Sequence, residues 1–179
     1  MKINSTRKLV LSGLLIALVF LATYFTKIPT PLPGGYFNLG DSVIMLAAVF
    51  LGPIGGLIAG SIGSALADLA YGGFLFVPIT FVVKGIEGLI VGLLISKMRK
   101  TGGMKHSRLI IAVVVGAVIM VLGYFLAEAF LLGAFDDAFG MTAAVAELLP
   151  NSVQGILSAI LGYILILILS KTGIDKRIG

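Results

Sequence analysis

Long apolar runs separated by short polar breaks dominate the chain. Leu9 to Phe25 carries no charge and is long enough for a first membrane-crossing helix. A basic, apolar start also fits a signal peptide, but no small-x-small cleavage site follows and the span runs on through Tyr24 and Phe25. Lys27 to Asn38, KIPTPLPGGYFN, holds three prolines and two glycines, so it cannot continue a helix and reads as an ordered loop or lid. Leu39 to Leu51 is a second, shorter span, opened by Asn38-Leu39-Gly40-Asp41. Gly52-Pro53 breaks it, and Ile54 to Ala70 forms a third. Tyr71 to Val77 turns back, a fourth span runs from Pro78 to Ser96, and a fifth from Leu109 to Phe130. Gly133 to Leu149 reads as a further connection carrying Asp136, Asp137 and Glu147. A sixth span starts near Pro150, a favoured first helical position, and ends at Ser170. The expected fold is an all-α membrane protein, a single six-transmembrane-helix bundle spanning residues 1–179. Its expected location is the cell membrane, crossed several times.

Composition agrees. Of 179 residues 59% are hydrophobic and 12% charged, half the charged share of a soluble domain (about 25%). With no cysteine and His106 as the only histidine, thiolate or histidine metal sites and Ser-His relays have almost nothing to be built from. The net charge of +5 is explained by placement. Lys2, Arg7 and Lys8, then Lys97, Arg99, Lys100, Lys105 and Arg108, then Lys171, Lys176 and Arg177 all fall on one side of a six-span arrangement. Only Lys27 and Lys84 lie elsewhere. Basic residues in short loops mark the cytoplasmic side, which puts both termini inside. Nucleic-acid binding is not needed to explain the charge.

Ionisable groups at membrane depth are costly and by default mark a site. Lys84 and Glu87 lie roughly 9 and 14 Å below Pro78 along a helix, and as an i, i+3 pair they could also simply neutralise each other. Asp41 opens the second span and Asp68 closes the third. Glu128 ends the fifth, and Asn151 and Gln154 sit one turn apart on one face of the sixth. Five spans thus bring hydrogen-bonding groups to one outer half, while the inner half offers mostly Leu, Ile, Val, Gly and Ala. Such asymmetry suits an outward-facing pocket with a closed floor rather than a channel, which carries polar groups along its whole path. Simpler roles stay open for single residues. Asp41 fits a helix cap, Asp68 an interfacial position, and Asn151 with Gln154 a tie between helices. Gly52, Gly56 and Gly60, continued by Ser64, form a small-residue row suited to close helix packing.

Carboxylates, amides and one lysine suit a small polar ring bearing amine and hydroxyl substituents. Tyr36, Phe37, Tyr71 and Phe74 could stack on it or act as interfacial anchors. No Arg or Lys cluster is available for a phosphate. No G-x-x-x-x-G-K-[ST], G-x-S-x-G or H-E-x-x-H pattern occurs, so the chain holds no P-loop and an enzyme is disfavoured. A binder without an energy source implies a partner that supplies one. Ser12, Gly13 and Ala17 offer a small-residue face on the first span for such a contact.

Four short motifs, NLGD at Asn38–Asp41, GPIGG at Gly52–Gly56, KGIEG at Lys84–Gly88 and NSVQ at Asn151–Gln154, occur in an order that resembles the S components of energy-coupling factor (ECF) vitamin transporters. The resemblance covers nearly the whole chain and is nearest to the riboflavin, hydroxymethylpyrimidine and pyridoxine branch. It implies a vitamin-binding subunit that docks on an ECF transmembrane coupling subunit driven by two ATP-binding subunits. ATP and Mg would then sit in those partners, and this chain would hold no cofactor or metal. Gly13 and Ala17 stand where the family places its Ala-x-x-x-Ala coupling motif. Glu87 matches a glutamate of thiamine-binding members. Riboflavin-binding members follow an asparagine with a lysine three residues on; here Asn151 matches and Gln154 replaces the lysine. The expected substrate-binding residues are Glu87, Asn151, Gln154, Glu128, Lys84, Asp41, Asn38 and Tyr71, and the expected ligand is a small pyrimidine or pyridine such as hydroxymethylpyrimidine or pyridoxine. The alternatives are riboflavin as the ligand, or a stand-alone carrier coupled to protons through Glu87 or Glu128.

Overall fold

The computed structural model describes residues 5–30, 35–100 and 106–171. Lys2, Lys105, Lys176 and Arg177 of the basic groups lie outside them, as does the middle of the proline-rich loop. Five long apolar helices make up the described chain: α1 Ser5–Phe25, α2 Gly40–Tyr71, α3 Val77–Lys100, α4 His106–Leu126 and α5 Met141–Lys171. A two-stranded hairpin, β1 Ile28–Pro29 and β2 Tyr36–Phe37, pairs Ile28 with Phe37 and Pro29 with Tyr36 between α1 and α2.

The expected six elements are therefore found as five, because the second and third predicted spans run together as α2. At 32 residues a straight α2 would reach about 48 Å, well beyond a hydrocarbon core of about 30 Å. It is not straight. Gly52 has φ 78° and ψ −171°, immediately before Pro53. Across it the two halves lie side by side: a Cβ on Gly56 would stand 2.9 Å from Cα of Ala48, and one on Gly60 would stand 3.2 Å from Cγ2 of Ile44. In a continuous helix those pairs would be about 12 and 24 Å apart. The chain thus reverses at Gly52. That backbone conformation is essentially closed to residues with a Cβ, although the space around it is open. Gly52→Ala is expected to lower stability by about 1–3 kcal/mol through backbone strain alone, measurable as a lower melting temperature in detergent.

Small residues set the packing around the bundle. Gly63 lies against Val19 and Ile16 of α1, and Gly56 faces Gly88 of α3 backbone to backbone. Gly116 of α4 meets Val91, Gly155 of α5 meets Ala117, and Gly162 of α5 meets Met45 of α2. Ser61 Oγ donates to the carbonyl of Phe81 at 2.7 Å and locks the α2–α3 contact. Gly56 and Gly60 thus serve the close packing read from the sequence. Gly52 makes the reversal instead, and Ser64, fully buried, faces the interior.

With α2 folded back, the ends bearing Arg7, Lys8, Lys97, Arg108 and Lys171 gather at one end of the bundle, and the hairpin lies at the other. Interior faces change character between these ends. On α3 the inward face runs Thr80, Lys84, Glu87, Val91, Ile95; on α5 it runs Glu147, Asn151, Gln154, Ser158, Gly162, Ile166. Both follow the three- and four-residue steps of one helix face and pass from polar to apolar. The apolar ends join Val19, Met45, Val49, Leu109 and Val113 in the main core, which forms a floor toward the basic end.

Candidate functional site

Above that floor, a narrow cavity of about 30 Å³ is walled by side chains from every long helix and the hairpin. Thr23 comes from α1, Tyr36 and Asn38 from the hairpin and its exit, Ser64 and Asp68 from α2, and Thr80 and Lys84 from α3. Tyr124 and Glu128 come from α4 and the turn after it, and Glu147, Asn151 and Gln154 from α5.

Its base is a buried polar chain. Lys84 Nζ donates to Asp41 Oδ1, and Glu87 Oε2 lies 3.7 Å away on its other side. Lys84 is 2% exposed, Asp41 1% and Glu87 0%, so one ammonium is held between two carboxylates out of reach of water. Gln154 Nε2 donates to Asp41 Oδ2 at 2.8 Å, while Gln154 Oε1 accepts from the backbone N–H of Asn38 at 2.8 Å. Asn38 Oδ1 in turn accepts from Gly40 N–H at 2.8 Å, and Thr26 Oγ1 accepts from Leu39 N–H at 2.8 Å. Asp41 does not cap its helix, whose start has no side-chain cap; it anchors Lys84. The i, i+3 pairing of Lys84 with Glu87 exists, but Asp41 from another helix is the nearer partner.

The hairpin closes the cavity. Tyr36 Oη donates to Asp68, which is 1% exposed and lines the cavity rather than facing an interface. Burial, with the Asp68 carboxylate adding to it, raises the Tyr36 phenol above its ordinary range and keeps it protonated as a donor. Lys27 Nζ sits 3.6 Å from the ring centre of Tyr71, 4.4 Å from Tyr36 and 4.9 Å from Tyr24, and donates to the carbonyl of Ala67 at 3.3 Å. Tyr71 is thus part of a cage for Lys27; it is 44% exposed and does not line the cavity. Burial lowers the Lys27 ammonium to about 8, with Asp68 pulling the other way. Since the unfolded chain holds that proton more tightly, the Lys27 contribution to stability rises with pH between about 8 and the ordinary 10.5. Amine acetylation followed by mass spectrometry should show Lys27 half-reactive near pH 8, whereas an ordinary lysine reaches that point near 10.4.

At the third corner, α4 does not simply end. A π turn, Ala127–Leu131, turns Glu128 inward, and the carbonyl of Glu128 accepts from Gly140 N–H at 3.0 Å. α5 begins at Met141, nine residues before the expected start, with Pro150 inside it. That extension places Glu147 one turn from Asn151 on the same face, a wall residue the sequence reading had assigned to a connection.

Of the eight expected substrate-binding residues, Asn38, Lys84, Glu128, Asn151 and Gln154 line one cavity. Glu87 and Asp41 lie behind Lys84, and Tyr71 stands outside. Thr23, Gly35, Tyr36, Ser64, Asp68, Phe76, Thr80, Tyr124 and Glu147 complete the wall. Tyr124 Oη and Thr80 Oγ1 are 2.8 Å apart. Asn151 is buried and lines the cavity. On α1, Gly13 and Ala17 are exposed, Ser12 is half-buried, and Gly13 and Ala17 line a shallow apolar groove with Ile16, Phe20, Leu66, Leu69 and Ala70.

A model of the S component of ECF-type riboflavin transporters matches residues 3–171 of the chain. The chain belongs to that family. An uncharacterized protein of Pyrococcus woesei is 39% identical over 165 residues, covering 90% of this chain and 97% of that one. A UPF0397 protein of Streptococcus agalactiae is 32% identical over 126 residues, covering 69% and 68%. A solved S component of a bacterial ECF transporter shares the fold, with a TM-score of 0.71 at 20% identity over 94% of this chain and 98% of that one. This ECF S component is accordingly a multi-pass membrane protein of a transporter and not an enzyme. S components of this kind work with a membrane coupling subunit and ATPases.

Proposed function

We propose that this S component captures a small pyrimidine or pyridine vitamin or precursor, of the hydroxymethylpyrimidine or pyridoxine kind, from outside the cell. The observation that carries the reading is the cavity itself: a polar wall drawn from five helices, roofed by a hairpin and closed below by an apolar floor. Its bound ring would lie among Asn151, Glu128, Thr80 and Tyr124, with Tyr36 of the hairpin above. The space between these groups is smaller than a ring, so entry requires the hairpin to lift, breaking the Tyr36–Asp68 contact and opening the Lys27 cage. Gln154, occupied at both ends of its amide, orients the wall rather than the ligand. Riboflavin fits less well, because its larger ring system would need more of the wall to part.

In this reading the two halves of α2 cross the bilayer separately, which makes six passes in one domain with both termini cytoplasmic. Gly13 and Ala17 contact the coupling subunit, Ser12 flanks that contact, and ATP and Mg are held by two ATP-binding subunits. The test is uptake of labelled hydroxymethylpyrimidine and pyridoxine into liposomes. Uptake of one of them only when the coupling module and ATP are present supports the reading. Uptake by this chain alone, driven by a pH gradient, contradicts it and favours a proton-coupled carrier.

A further inference from the structure

Within the cavity wall, acidic side chains outnumber basic ones. Three carboxylates, Asp68, Glu128 and Glu147, line it, against one ammonium, Lys84. Lys84 is already held between Asp41 and Glu87. Asp68 accepts from Tyr36 and has Lys27 nearby. Glu128 and Glu147 have neither: both are 3% exposed, no ion pair among the described residues includes them, and Glu128 Oε2 and Glu147 Oε1 are buried without any hydrogen-bond partner. They line the same narrow cavity, so ionising both would set two like charges against each other. The other titratable groups of the cavity wall, Tyr124 from α4 and Tyr36 from the hairpin, are phenols and supply no positive charge.

The pair is also built rigidly. The π turn aims Glu128 inward, its carbonyl is tied to Gly140 at the head of α5, and Gly133 packs against Gly140 backbone to backbone. Glu147 follows two turns into the same helix. π turns within α-helices frequently mark functional positions. Two hydroxyls in the same cavity, Thr23 Oγ1 and Ser64 Oγ, are 2% exposed or less as residues and likewise lack partners among the described residues. Buried polar groups left unmatched cost free energy, and unpaired buried charges cost more. A molecule that supplies a positive charge with several N–H donors would let both acids ionise and be paired at once, whereas a neutral or anionic one would offset neither charge.

We propose that the ligand of this cavity carries a cationic nitrogen with at least two N–H donors, a primary ammonium, held between Glu128 and Glu147. The proposal deepens the vitamin-capture reading and rests on it. It narrows the substrate class from polar rings in general to amine-bearing ones.

Two pairs of probes that differ only at one group test it: pyridoxamine against pyridoxine, and 5-aminomethyl- against 5-hydroxymethyl-4-amino-2-methylpyrimidine. Binding to the purified full chain is measured by equilibrium dialysis at pH 7. For at least one pair, the ammonium member is expected to bind at least about tenfold more tightly, as a charge-assisted hydrogen bond to each carboxylate would give. In the Glu128→Gln, Glu147→Gln double variant that preference should vanish. The unliganded melting temperature of the variant should stay the same or rise, because two buried ionisable groups with unpartnered oxygens become neutral amides. Equal or stronger binding of the hydroxyl members, no binding of either ammonium probe, or a variant that melts lower without losing the preference would each overturn the proposal. Failure of vitamin capture itself shows separately, as uptake by the chain alone.

Discussion

Replacing Lys84 with Met is expected to cost about 3–5 kcal/mol of stability and to lower the melting temperature by roughly 10 °C. The substitution keeps an unbranched stem one heavy atom shorter and removes the ammonium with its N–H donors. Two carboxylates, Asp41 and Glu87, then face each other in the interior with no cation between them, the situation in which breaking a buried ion pair costs most. Both oxygens of Glu87 lack hydrogen-bond partners, so the nearby ammonium is its sole compensation among the described residues. Asp41 retains Gln154 as a donor. Adding Glu87→Gln to Lys84→Met should therefore recover a large part of the loss, and a double-mutant cycle on melting temperatures measures the coupling. Equal losses for the single and double variants would show that Lys84 and Glu87 are not coupled as their placement implies.

Gly88→Val should have a comparable effect by a different route. A Cβ on Gly88 would run into the carbonyl of Gly56, and one on Gly56 would run into the carbonyl of Gly88, so neither side can give by changing a rotamer. Cγ2 of Ile44 closes the site from the third direction at 3.1 Å. Overpacking costs about 1–3 kcal/mol even where side chains can move, and here backbone must move. Gly88 lies one turn below Lys84 on α3, so pushing α3 off α2 also draws Lys84 away from Asp41 and deforms the cavity wall. Ligand affinity should fall with stability, by more than about tenfold, since a 1.4 kcal/mol displacement cost already amounts to that. Gly13→Ala is the matched control: nothing lies within 4 Å of the added Cβ, and stability should not fall.

Most of the architecture was legible in the sequence because membranes leave few options for apolar runs of this length. The spans, the small-residue row, the apolar floor and the lid all follow from local pattern. What escaped was set by contacts between distant residues or by one ambiguous proline. Lys84 and Asp41 are 43 positions apart, and spacing along α3 could point only to Glu87 as a partner. Asp68 looked interfacial because its partner Tyr36 arrives from the lid, 32 positions earlier. Pro150 read as a helix start, which hid Glu147. The steps from Glu147 to Asn151, Gln154 and Ser158 are those of one helix face and were the signal that could have revealed it. The reversal at Gly52 was visible as Gly-Pro, yet its residues remain within one helical element, which is why six predicted spans became five helices.

The claim that side chains from all five helices enclose one ligand is tested most directly by mass spectrometry of small molecules released from the purified protein. The account predicts one organic molecule in stoichiometric amount from the unaltered chain, and its loss from Asn151→Ala, a variant that leaves the Asp41–Lys84–Gln154 chain intact. Recovery of the same molecule in equal amount from both proteins would contradict the placement of the site.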